Sequence, residues 1–412
     1  MTDIRLALPS PRRTPGREGS PLRPWRGLSA AIAFLGLAGC ADDSSTKGDA
    51  LTAAEVEPIV ANYIAIVRAS YDDAITGTSA LDGAIEAFLD GPSEANLVAA
   101  RQAWLDVRET YGQTETYRFY DGPIDDPDTG PEGRINGWPL DEAFIDYVVD
   151  DDGAGIINHT DDFPMISQQV VADENENGSE TNISSGYHAI EFLLWGQDLS
   201  ATGPGARPYT DYVTGEDGTA ANQDRRSAYI AAASGLLLED LASVRAAWND
   251  GGGTYAAEFA ALEPKEAVRR MFAGIGVMAG FELPGERMAA AFDNKDQEDE
   301  HSCFSDNTHR DIYTNALGVQ NVYLGRYGNI DGPGLDELLE ARDPELNAKL
   351  KDQIQTALDD IEEIPTPFDA AITSENGSDA RDKIQTAIRD LQDVAETLVE
   401  AGKVLGVDVA VL

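Results

Sequence analysis

Apolar residues recur along most of this chain at steps of three and four, the period of a helix with one buried face. Val56, Ile59, Val60, Tyr63, Ile64 and Val67 predict a helix over 54–71. Residues 93–118 open at Ser93, whose hydroxyl suits an N-cap, and place Leu97, Ala100, Trp104, Val107 and Tyr111 on one stripe. Gly186–Trp195 is apolar nearly all round, the mark of a helix buried on every side. Two more long helices are predicted over 225–249 and 265–292. Leu346, Leu350, Ile354, Leu358 and Ile361 form a further stripe, and Ile384, Ile388, Leu391, Val394 and Leu398 form the last. No run sustains strand alternation, so the fold class is all-α, built as two packed helical-bundle domains.

Three loops break the helical pattern. Residues 120–139 are rich in Gly, Pro and Asp, and 200–224 are similar. The second gives the best boundary, between a domain at 53–215 and one at 216–412. Residues 293–311 (DNKDQEDEHSCFSDNTHRD) are acidic and hold two of the four histidines. Long polar loops of this kind are more often functional than decorative.

The N-terminus reads as an export signal. A basic leader (Arg12, Arg13, Arg17, Arg23, Arg26) precedes an apolar run, Leu28–Leu37, far short of the roughly 20 residues that span a bilayer. Leu37-Ala38-Gly39-Cys40 resembles a lipobox, so residues 1–39 would be removed and Cys40 lipidated. Residues 40–52 are too polar to fold and read as a tether. Ala41 lacks the aspartate that favours inner-membrane retention, which leaves the outer membrane, facing the periplasm or the exterior, as the expected location. If Cys40 carries lipid, Cys303 is alone and packing must hold the fold.

Charge narrows the partners. The net charge is −44. Such a surface repels nucleic acid and favours cations, although solubility in a saline habitat explains the bulk of it equally well.

The sharpest chemical signal is Gly186-Tyr187-His188-Ala189-Ile190-Glu191. His188 and Glu191 are three apart, so on a helix they share a face and can grip one ion. A carboxylate among Ile190, Phe192, Leu193, Leu194 and Trp195 is costly unless a cation or donor compensates. The bland alternative is a core histidine on a backbone carbonyl, with Glu191 paired to an arginine. A second cluster comprises Asp296, Glu298, Asp299, Glu300, His301, Cys303, Asp306 and His309. If a helix starts near 305, Asp306 and His309 share a face. The cluster is then a second metal site, a group that closes the first, or a solvated acidic loop. Cys303 reads as a packed thiol. Asp173-x-Asn175-x-Asn177-Gly178 opens like a calcium loop, but Ser184 stands where the closing Glu belongs, so a turn is expected. His159 has no partner that the sequence identifies.

GYHAIEFLLWGQD resembles the signature of the imelysin family, whose hallmark is Gly-x-His-x-x-Glu. AWLDVRETYGQTETYRF, INGWPLDEAFIDYV, and GFELPGERM through DQEDEHSCFSDNTHRDIYTNALGVQNVYLGRYG extend the likeness over roughly 55–410, with the last stretch similar to the iron-regulated protein A subgroup. The resemblance implies a two-domain helical fold with the motif near the interdomain cleft, in an envelope protein tied to iron. Residue by residue, His188 and Glu191 match the motif, and Glu115 matches an acidic position that would supply a third ligand. Arg108, two turns before Glu115, could pair with it instead. A histidine with two carboxylates suits iron, zinc or manganese, and calcium for the hard oxygens.

Three functions follow as expectations. The first is capture or relay of iron by a lipid-anchored protein, without turnover, for an uptake transporter or receptor. The second is the metallopeptidase activity historically attached to the family. It is disfavoured because Phe192 stands where a His-x-x-Glu-His motif needs its second imidazole. The third is an interaction module at the outer membrane.

Overall fold

The computed structural model describes residues 50–409 and 411; the signal, Cys40 and most of the tether lie outside the described residues. Helix α1 (Ala53–Asp90) runs well past the predicted 54–71, because its buried stripe continues through Ala74, Thr78, Leu81, Ile85 and Phe88. Glu55 reaches back to accept from the Thr52 amide at 2.9 Å and so caps its start. Helix α2 (Glu94–Tyr111) begins as expected, with the Ser93 hydroxyl accepting from the Asn96 amide, and passes into a 3₁₀ turn over Gly112–Tyr117. Helix α3 is the motif helix, Gly186–Trp195, with every residue buried. Helix α4 (Gln223–Ala247) packs on both α1 and α3. The loop at 200–224, where a boundary was expected at 215/216, therefore connects helices of one bundle.

The predicted 265–292 helix changes its winding midway. Helix α5 (Pro264–Val277) continues as a π-helix over Met278–Ala289, where the Ala290 amide bonds the Gly285 carbonyl five residues back. Pro284 lies inside this segment and has no amide hydrogen to give, which favours a departure from the regular α ladder. Helices α6 (Thr308–Leu324), α7 (Pro344–Glu362) and α8 (Asp379–Leu405) complete the second bundle, with α8 packed on α7 and on the π-helix. A two-residue hairpin, Arg326–Tyr327 with Ile330–Asp331, is the strand content of the described residues.

The described residues form one compact unit. Helix α6 joins its halves, touching α2 and the 112–117 turn on one side and α7 on the other. Between these elements lies a layer of buried polar side chains, and the motif helix faces it.

Candidate functional site

Gly186 opens the motif helix at φ +80°, and a Cβ there would lie 2.5 Å from the Ile135 carbonyl oxygen. Only glycine satisfies both conditions. The Trp104 indole donates to the Tyr187 carbonyl at 2.9 Å, Tyr212 donates to Leu193 at 2.7 Å, and Arg101 donates to Leu194 at 2.8 Å. The helix is thus pinned at both ends, and the facing of its side chains is fixed.

On that helix His188 and Glu191 meet as the spacing predicts, with Nδ1 and Oε2 2.9 Å apart and both side chains fully buried. Among the described residues, no arginine pairs with Glu191. Its Oε1 accepts from the Ser305 amide at 2.9 Å and the Ser305 hydroxyl at 2.6 Å. Burial still pushes its carboxyl up to about 8, against the lowering effect of those donors. The other imidazole nitrogen of His188, Nε2, is buried with no hydrogen-bond partner. Neither half of the bland alternative is present.

The 293–311 loop closes over this pair. The His301 ring lies 4.6 Å from that of His188, centroid to centroid, at 75°, and Trp138 packs 5.0 Å from His188. His301 Nδ1 is 3.0 Å from Asp311 Oδ2. Burial opposes ionisation of Asp311, but Arg108, 3.1 Å away, and His301 hold its carboxyl well below the usual range. The ionised carboxylate makes Nδ1 the donor and leaves His301 Nε2 as an acceptor, which faces the Asn136 amide at 3.4 Å. Burial, with His301 beside His188 and Arg287 beside His301, lowers both imidazoles below their ordinary value. Both are therefore neutral, the form in which imidazole binds metal.

Glu115 is buried in the same layer but is engaged elsewhere. Its Oε2 accepts from Arg287 at 2.5 Å and Asn136 at 3.2 Å, and its Oε1 accepts from Asn315 at 3.3 Å. Burial alone would raise this carboxyl; Arg287 overrides it and holds Glu115 at about 2. Arg108, the partner the sequence suggested, bonds Asp311 and Asn136 instead. Glu115 anchors an arginine and offers no free oxygen to an ion.

The rest of the acidic loop divides. Helix α6 starts at Thr308, and Asp306 precedes it at φ +57°, so Asp306 and His309 do not share a helical face; His309 Nδ1 lies 3.2 Å from the Asp306 carbonyl. Glu298 is exposed, and Asp296 and Asp299 bond the Glu298 amide and Asn294. Glu300 is buried near Asp369 and Asp306; burial foremost, with those carboxylates, raises its carboxyl well above its usual range against a hydrogen bond from Thr308. Cys303 is a buried free thiol. The calcium-like stretch is a brace: Asn175 donates to Gly133 and accepts from Ser184. His159 is exposed.

Sequence reasoning passed over Asn136, Trp138, Arg287, Ser305, Asp311 and Asn315. All are ordinary residues in their local pattern, and only the fold brings them together. Several stand in the stretches that carry the family likeness, INGWP, PGERM and HRDIYTN, yet nothing local marks them.

Known proteins share this arrangement of helices. The imelysin model (peptidase M75) matches residues 67–396. Iron-regulated protein A of Synechococcus elongatus is 26% identical over 360 residues, covering 83% of this chain and 85% of its own length. A crystal structure from Parabacteroides distasonis, assigned provisionally as an iron-regulated protein A precursor, superposes with a TM-score of 0.67 at 18% identity, covering 86% of this chain and 97% of that one. At that identity the superposition speaks for the fold. With a family match running over most of its length, the chain belongs to the imelysin family.

Proposed function

We propose that this chain binds a metal ion, iron foremost, through His188 and His301, and serves iron uptake or relay without catalytic turnover. The observation that carries the reading is His188 Nε2, a fully buried nitrogen with no partner beside a second neutral imidazole. An unsatisfied buried polar atom calls for a ligand. A bond at that nitrogen needs the tautomer with hydrogen on Nδ1, which Glu191 accepts once metal binding displaces its own proton, as the already ionised Asp311 does for His301. Carboxylates behind ligating histidines fix tautomer and ring angle in this way. Glu191 and Asp311 then orient the ligands, and the ligand set of His188, Glu191 and Glu115 becomes a histidine pair. Imidazole suits iron, zinc and manganese alike, and the relatives named for regulation by iron favour the first.

The full burial of His188 and Glu191 favours binding over peptide hydrolysis, since an ion reaches such a site more readily than a polypeptide does. The lipobox-like segment supports anchoring at Cys40 to the outer membrane, where an uptake transporter or receptor would take the metal on. For the anchor, Cys40→Ser should move the protein from the membrane fraction to the soluble one. For the metal, anaerobic calorimetric titration with ferrous iron should give one bound ion per chain. His188→Ala and His301→Ala should each weaken it by about tenfold or more, as losing an orienting or ligating group does. Wild-type affinity in both variants would reject the site.

A further inference from the structure

Asp198, Asp306 and Asp369 bring carboxylate oxygens within 4.8 Å of one another. They come from three places: the connection after α3, the turn that follows Ser305, and the short helix Phe368–Thr373 of the second bundle. Asp198 and Asp369 are each 2% exposed and Asp306 is half-buried, so the cluster faces inward and opens to solvent at Asp306. Acidic residues often gather without a ligand; here Asp198 accepts from the Ser200 amide at 2.9 Å and from Gln297 at 3.3 Å, but among the described residues no cationic side chain pairs with any of the three. Asp369 has no side-chain partner for either carboxylate oxygen, only the amides at the start of its own helix leaning toward it, and Glu300, 1% exposed and close behind, leaves Oε1 unpartnered. Buried carboxylates are normally paired, hydrogen-bonded or bound to metal. Burial, with repulsion from Asp369 and Asp198, raises Asp306 to about 7; burial, with Asp369 nearby, lifts Asp198, and burial lifts Asp369.

We propose that Asp198, Asp306 and Asp369, backed by Glu300, form a site for a hard divalent cation, calcium in the first place. The donors are all carboxylate oxygens. The imidazole of His309, three residues after Asp306, turns Nδ1 to the Asp306 backbone, and the thiol of Cys303 is kept protonated by burial. Calcium accepts six to eight oxygens and fills its shell with water, which the opening at Asp306 admits. A cation here ties the end of the motif helix and the second bundle to the loop that carries Ser305 and His301. The site shares no donor with the histidine pair and stands or falls apart from it.

Calorimetric titration of the chelator-stripped protein with calcium chloride, paired with thermal melts, tests the site. One calcium per chain and a raised melting temperature are expected. Asp306→Asn and Asp369→Asn should each weaken binding by about tenfold or more, since charge count sets the affinity of such sites. His188→Ala should leave it unchanged. Asparagine keeps the shape and relieves the repulsion, so both variants should melt at or above the calcium-free wild type, which separates lost binding from lost folding. No heat and no melting shift with calcium up to about 5 mM, beyond the range of weak extracellular sites, would overturn the proposal. Wild-type calcium affinity in the aspartate variants, or displacement of the bound calcium by an equal concentration of zinc in the His188→Ala protein, would overturn it too.

Discussion

Of three carboxyls set within one buried layer, two are held ionised and one is held neutral, as the groups beside them decide. Arg287 and its neighbours hold Glu115 ionised, at about 2. Its ordinary value is 4.5, so the stability it contributes is full above that pH and is lost as the pH falls toward 2. Glu191 acts in the opposite sense: burial raises it to about 8, so its contribution is full below 4.5 and fades as the pH climbs through 8. Glu115→Gln should therefore flatten the acid limb of stability between pH 5 and 2, and at neutral pH should cost about 3 kcal/mol, the scale for breaking a buried ion pair. Denaturant melts across pH check both; an unchanged acid limb would mean that Glu115 is not ionised in the folded chain. The third, Asp311, is held well below its usual range by Arg108 and His301 against its burial, and it fixes the tautomer of His301. The i, i+3 step made the His188–Glu191 pair legible in the sequence. The role of each did not follow from spacing, because it depends on Ser305, more than a hundred residues away, occupying Glu191 Oε1.

At the scale of elements, apolar periodicity located the long helices well. Helices α2, α3, α4, α7 and α8 stand within a few residues of their stripes, since a buried face imposes the 3.6-residue period wherever it packs. The departures have local causes. Helix α1 overruns because its buried stripe continues past Gly77 through Leu81 and Ile85, with neighbours packed against it. The π-helix follows a sequence that looks helical throughout, and only the backbone shows the changed register that accompanies Pro284 and brings Arg287 to Glu115. Helix α6 starts three residues later than the loop pattern suggested, which separates Asp306 from His309. Gly186 is the element-level feature with the sharpest consequence. Gly186→Ala should destabilise the fold by more than about 1 kcal/mol, since a left-handed backbone costs that much for alanine even before the clash with Ile135. An equilibrium urea melt equal to the wild type would show that the motif helix does not need this entry.

Over the whole molecule, 74 acidic residues face 30 Lys and Arg. Part of the basic complement is drawn inward: Arg108, Arg226 and Arg287 are buried on Asp311, Asp146 and Glu115 respectively. The surface is left with repelling carboxylates, which salt screens over about 8–10 Å near physiological strength. The melting temperature of chelator-treated protein should rise between low and moderate sodium chloride; a flat or falling curve would show that surface repulsion does not limit stability. Composition gave the charge but not its sorting, because which arginines are buried depends on contacts between distant segments. The same holds for the candidate site, where helix α3 supplies one imidazole and a loop more than a hundred residues later supplies the other.

The most direct test of the account is an anomalous-difference map, at the iron edge, from a crystal of the iron-loaded protein. The account expects one peak at bonding distance from Nε2 of both His188 and His301, with Glu191 still hydrogen-bonded to Nδ1 and Glu115 still on Arg287. Iron bound elsewhere, with His188 Nε2 unligated, would contradict it.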